Sequence, residues 1–225
     1  MKVDQLGLQL NQPNLRHLIR IFLSEEGVDS GIYGFLPKTP APGELPPFDE
    51  RITTFPSAVA TFYSPSDQCG NGGMRRERIR ATPSWRGGPA RYDCIFVRSS
   101  ESDSPPWDVA RVRLFFSFSI DERSYSCALL HEFRIVGDQP DGDTGMWMVE
   151  RVLDGDGQPS ARVVPLNSIL RAAHLSPIFG YLTHFLSRKA SPESSLDNFD
   201  NFYVNKYIDH HAFEITSSQN YFLYR

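Results

Sequence analysis

Val109 to Ile120 and Tyr125 to Val136 are two long runs rich in β-branched and aromatic residues, separated by Asp121-Glu122-Arg123-Ser124. In the first run Arg111 and Arg113 alternate with Val112 and Leu114, the period of two that a half-buried strand imposes. The polar break suits a hairpin turn. The middle of the chain is therefore committed to a long β-hairpin, and the flanking sequence must supply its partners. Ile52 to Tyr63, Arg91 to Arg98, Met146 to Leu153 and Arg162 to Leu166 read as further strands. Gly70–Gly73, Arg86-Gly87-Gly88-Pro89, the polar loop Ser99–Pro106, the acidic stretch Gly137–Gly145 and Asp154-Gly155-Asp156-Gly157 punctuate them as turns or loops. Short strands joined by polar turns predict an antiparallel meander that curls into a small barrel.

Helical signals lie at the two ends. Leu15, Leu18, Ile19 and Phe22 recur at helical spacing within Asn14–Ser24, with Asn14 as cap and Arg16, His17 and Arg20 on the other face. Ser194 to Phe213 opens with Ser194-x-x-Asp197 and carries Leu196, Phe199, Phe202, Tyr203 and Tyr207 as an apolar stripe. The expected fold is thus α+β and mainly β: a curled antiparallel sheet or small barrel, with an N-terminal and a C-terminal helix packed on it. The expected organisation is 1–50 for the helix and a Pro-rich arm, 51–190 for the β-rich domain, and 191–225 for the C-terminal helix and tail. The arm, Leu36 to Phe48, holds five prolines. It cannot donate a regular hydrogen-bond ladder and reads as an extended linker, with a PxxP-type ligand role as the alternative.

Composition narrows the functional classes. With 40% hydrophobic residues in 225, the chain can bury a substantial core. No apolar run reaches the length of a membrane span and none follows the N-terminal lysine, so neither a membrane nor a secretory route is expected. Cys69, Cys94 and Cys127 are odd in number and widely spaced. They suggest neither a disulfide framework nor a zinc knuckle, and a reducing compartment, nuclear or cytoplasmic, is the expectation.

The formal charge is −4 but unevenly spread. Between Ser66 and Arg98 stand seven arginines and three acids. That segment carries four positive charges in excess, and the rest carries eight negative. Arginine forks two hydrogen bonds to a phosphate or carboxylate, so Arg75, Arg76, Arg78, Arg80 and Arg86 are candidate nucleic-acid contacts. Trp85 is a candidate stacking neighbour. The alternative is that these arginines pair internally and cover a sheet face with their stems.

Catalytic patterns are weaker. His210, His211 and Glu214 could place two metal ligands on one helical face, but adjacent helical residues point about 100° apart, and no further ligand follows from spacing. Helix-end packing or capping is the alternative. Asp138, Asp141, Asp143, Asp154 and Asp156 fail the calcium-loop pattern, with Val152 where its final glutamate belongs. Cys127 and His131 would share a strand face about 13 Å apart, too far for a hydrogen bond. No phosphate-binding glycine loop or nucleophile elbow is present. No catalytic residue, cofactor or small-molecule substrate is expected.

Several blocks also carry a family likeness: Ser57-Ala-Val-Ala-Thr-Phe-Tyr-Ser-Pro-Ser-Asp67, Gly72 through Asp93, Ala110-Arg-Val-Arg-Leu-Phe-Phe-Ser-Phe118, Asp143-Thr-Gly-Met-Trp147, Ile169-Leu-Arg-Ala-Ala-His-Leu175 and Phe202-Tyr-Val-Asn-Lys-Tyr-Ile-Asp-His-His-Ala212. Together they resemble the C-terminal accessory region of fungal Plavaka-type, CACTA-like transposase proteins, over roughly residues 14 to 215. The resemblance implies an accessory tail. The family's metal-dependent nuclease domain lies upstream of it, and no catalytic residue of that domain maps onto this chain. Two positions depart from the pattern: Glu132 stands where relatives carry Trp, and Asn167 where they often carry Asp. The region also resembles a BAH module, which implies contact with chromatin proteins. The resemblance accordingly implies DNA, chromatin proteins or other transposase subunits as partners. A protein-interaction domain and a metal-dependent hydrolase remain as alternatives.

Overall fold

The computed structural model describes residues 1–29, 45–64, 72–99, 105–120, 122–179 and 194–217, with no side-chain description for 27–29. Most of the Pro-rich arm, Cys69, the centre of the polar loop after Ser99, Asp121 and the end of the tail lie outside the described residues. In chain order come helices α1 (Val3–Gln9) and α2 (Leu15–Asp29), then strands β1 (Thr53–Phe55), β2 (Ser57–Tyr63), β3 (Met74–Thr82), β4 (Arg91–Tyr92), β5 (Cys94–Arg98), β6 (Trp107–Ile120), β7 (Arg123–Val136), β8 (Met148–Arg151), β9 (Ala161–Pro165), β10 (Ile169–Ala173) and β11 (Leu175–Pro177). The chain then forms α3 (Ser195–Asn198), β12 (Asn201–Val204) and α4 (His210–Ser217).

The predicted hairpin is the spine. Strands β6 and β7 pair antiparallel from Val109–Phe133 to Ile120–Arg123. Each is long enough to hold two different neighbours on its far edge: β6 holds β5 and β1, and β7 holds β9 and β8. Strands β10, β12 and β11 extend this into a nine-stranded, nearly closed antiparallel barrel-like sheet, and β2, β3 and β4 form a separate three-stranded sheet. The mainly β architecture with helices at the termini is as the sequence predicts. Among the described residues no helix is long and apolar enough to cross a membrane.

A register shift between Val112 and Leu114 sets the packing. Because strand side chains alternate, one extra residue switches the facing of everything beyond it. Before the shift Ala110 and Val112 pack under β3, with Ile79 and Ala81; after it Phe115 takes that side. The opposite side carries Trp107 and Val109 into an aromatic cluster with Trp147, Phe202 and Ile215. Leu114, Phe116 and Phe118 meet Leu15, Ile19 and Phe22 of α2. The hairpin thus feeds three cores, and Arg113 is the residue inserted between them.

The described end of the arm, residues 45–48, is tied down by its carbonyls. Arg20 donates to the backbone oxygens of Leu45 (2.6 Å) and Pro46 (2.7 Å), and Arg16 donates to that of Phe48. Arginine thereby uses the acceptors that a proline-rich stretch still offers after losing donors. The expected continuous helix over Ser194–Phe213 is corrected. The chain makes one short turn of helix, then strand β12, then α4, which begins at His210. The reason is alternation: Phe202 and Val204 are fully buried while Asn201 and Tyr203 are only partly so, and pairing with β8 and β11 outweighs the helical spacing of the aromatics.

Candidate nucleic-acid interface

The arginine segment becomes β3, a strand that the glycine and charge pattern concealed. Its connection to β2 needs Gly73, whose φ is 79° and where a Cβ would lie 2.6 Å from the Tyr63 ring. Along β3 exposure alternates: Arg76 and Arg78 are exposed and Arg80 half-buried on one side, while Arg75, Glu77, Ile79 and Ala81 face the other and are half-buried or buried. Outward positions repeat about every 6.6 Å along such a strand. Opposite them on β2, Thr61 pairs with Arg76, Val59 with Arg78 and Tyr63 with Met74. Val59, Tyr63 and Met74 are all exposed. The outer face of the small sheet is therefore an arginine row between apolar and aromatic side chains.

The candidates differ in how they are held. Arg76 makes no ion pair among the described residues, and Arg78 donates to the Ser57 hydroxyl at 3.0 Å. Arg80 lies 4.4 Å from the Trp85 ring centre and 4.0 Å from the Asp93 carboxylate. Arg86 and Arg91 stand 5.3 Å and 5.6 Å from the same ring, within cation–π range. Arg91 also donates its Nε to Asp93 at 2.8 Å. Trp85 is thus the centre of an arginine cluster and not a bare stacking surface. Arg86 occupies the left-handed region at φ 52°, which is uncommon without glycine. Beside Trp85 opens a hollow of about 500 Å³, walled by Pro89, Tyr92 and Leu196 and reached by Arg91 and Arg111.

The inner face of the same sheet is bolted to the rest of the molecule by Arg171. It is 3% exposed. Its guanidinium forks onto Asp209 at 2.7 and 2.6 Å, meets His211 Nδ1 at 3.1 Å and Glu77 at 3.5 Å, and lies 4.8 Å from the Phe62 ring centre. Phe62 stacks on His211 at 4.4 Å, and Glu77 also accepts the Ala172 N–H. Burial raises the Glu77 carboxyl above its ordinary pKa, against the pull of Arg171. Burial also opposes ionisation of Asp209, but the Arg171 hydrogen bonds and the Ala212 N–H outweigh it and hold that pKa low.

A second polar group lies at the seam between the helical and aromatic cores. Arg111 pairs with Asp197 at 2.6 and 3.4 Å, and Arg113 lies 4.1 Å from the Tyr92 ring centre. His131 completes the seam beside a cavity of about 430 Å³. Burial, reinforced by Arg113 and Arg111, pushes its pKa down to about 4.

The metal candidates are not brought together. His211 is buried and engaged with Arg171 and Phe62, whereas His210 is exposed. Among the described residues no group of three or more His, Cys, Asp or Glu side chains could hold one ion. Glu132, one of the two departures from the family pattern, accepts from the Ser160 hydroxyl at 2.9 Å and pairs with Arg162 at 2.9 Å. The pairing of Arg171 with Asp209, which heads the His210-His211 motif, is not visible in the sequence pattern. The local signal was a lone arginine inside the apolar run Ile169-Leu-Arg-Ala-Ala173, where a charge is expensive unless paired. No protein-family model, no curated protein and no solved structure matches the chain.

Proposed function

We propose that this protein is a non-catalytic accessory module, derived from a transposon protein, that contacts nucleic acid in a nuclear transposition complex. The observation that supports this reading is the outward row of Arg76, Arg78 and Arg80 on β3, two of them exposed. The other side of the same strand is committed to the core through Glu77, Ile79 and Ala81. The row presents forked cations at regular spacing along one strand, which suits phosphate oxygens. Arg75, half-buried on the inner side, contributes less, and Arg86 extends the row past Trp85.

The test is DNA binding across a salt series with Arg76→Ala and Arg78→Ala combined. Each lost phosphate contact flattens the slope of log affinity against log salt by about 0.7–0.9, so the double variant should lose about 1.5 and bind more weakly. Unchanged affinity and slope would falsify the assignment.

A second reading is a protein-interaction face. It is favoured by Val59 (42% exposed), Tyr63 (43%) and Met74 (45%) beside the arginines, an apolar surface that an acidic polypeptide segment would cover. A titration in which DNA fails at low salt would favour this reading.

A further inference from the structure

Resting on the nucleic-acid reading, we propose that the hollow beside Trp85 is a pocket for one unpaired base of a single strand whose phosphates lie along Arg76 and Arg78. The row and the hollow are consecutive. Trp85 lies three residues beyond the end of β3, and the Arg80 guanidinium at the end of the row lies 4.4 Å from its ring centre. The row therefore ends against Trp85, which is one wall of the hollow.

The hollow has the chemistry of a base site. Its volume of about 500 Å³ falls in the roughly 300–1,000 Å³ range of small-ligand pockets. Trp85 and Tyr92, each with guanidiniums near its ring, join Pro89 and Leu196 as its apolar walls, and Arg91 and Arg111 give it hydrogen-bond donors. A nucleobase presents the complement: a planar π-face and an edge bearing oxygen and nitrogen acceptors. The donors are fixed before the ligand arrives. Arg111 is held by Asp197 and Arg91 by Asp93, so little side-chain freedom is lost on binding. The neighbouring cations also suit the phosphate that accompanies every base. A base stacked and paired inside a duplex cannot enter such a hollow, so the pocket discriminates by strandedness.

The experiment compares a labelled single-stranded oligonucleotide of about ten bases with its duplex, by anisotropy, while following tryptophan emission. Trp107 and Trp147 are 0% and 8% exposed, so quenching by the ligand reports on Trp85. The single strand should bind about tenfold tighter than the duplex, with quenching that Trp85→Phe abolishes. Trp85→Ala should bring the ratio of the two affinities close to one. The buried tryptophans serve as an internal check that each variant is folded. Equal binding of single strand and duplex without quenching overturns the base pocket and leaves the arginine row standing. Binding of neither, at low salt, overturns both.

Discussion

His131 lies between Arg111 and Ala161 in the β-ladder, close to two guanidiniums, and its pKa is held near 4 against an ordinary 6.5. The folded protein therefore resists protonation there, while the unfolded chain accepts it. Stability from this residue is fully present above pH 6.5 and is lost as pH falls toward 4, by up to about 3 kcal/mol. Denaturation midpoints of the parent and of His131→Gln, measured across that window, should converge as the pH drops. Arg171 makes a stronger demand. Removing it leaves Asp209 and Glu77 unpaired in a partly buried site, and Arg171→Ala should cost about 3 kcal/mol in urea unfolding, the low end for a broken buried pair. Cys94 and Cys127 are buried, and burial pushes both thiols up to about 12. In the native protein neither should be alkylated by iodoacetamide at neutral pH, as peptide mass spectrometry would show; both should react in denaturant.

Strand β3 illustrates what can and cannot be read from a sequence at the level of an element. The hairpin β6–β7 was legible because two long runs rich in β-branched and aromatic residues flank one polar break, with Arg111 and Arg113 alternating against Val112 and Leu114 in the first. In β3 the inward residues are Arg75, Glu77, Ile79 and Ala81, so half the buried side is polar and the alternation disappears. Its inward Glu77 is tolerable because Arg171, 94 positions away and itself held by Asp209, pairs with it. That compensation is tertiary and leaves no local trace. The same holds for β12, where aromatics at helical spacing conceal a strand of four residues. The candidate site was half legible: the arginines were identifiable from charge density, but their outward and inward division was not. Ile79 is the main apolar anchor of the small sheet, 1% exposed. Ile79→Ala should cost about 2–5 kcal/mol, and hydrogen exchange should show protection falling in β2 and β3 before β6 and β7.

For the molecule as a whole, three cores meet on one hairpin. α2 packs with Leu114, Phe116 and Phe118, the small sheet with Val112 and Leu130, and α4 with Trp107 through Ile215. Sharing a spine makes their stabilities interdependent. Unfolding of Trp85→Phe followed by tryptophan emission, which then reports the aromatic core through Trp107 and Trp147, should coincide with unfolding followed by far-ultraviolet circular dichroism. In Arg171→Ala the two should separate, because the link between β3, β10 and α4 is gone.

Glu77 lies between Arg76 and Arg78 in the chain but points the other way, into Arg171 and so toward Asp209 at the head of α4. Whatever grips the arginines from outside is pulling on a strand riveted from behind to the far end of the polypeptide. A load applied at that surface is carried through the sheet to α4, so the outer face of the small sheet and α4 shift as a single piece.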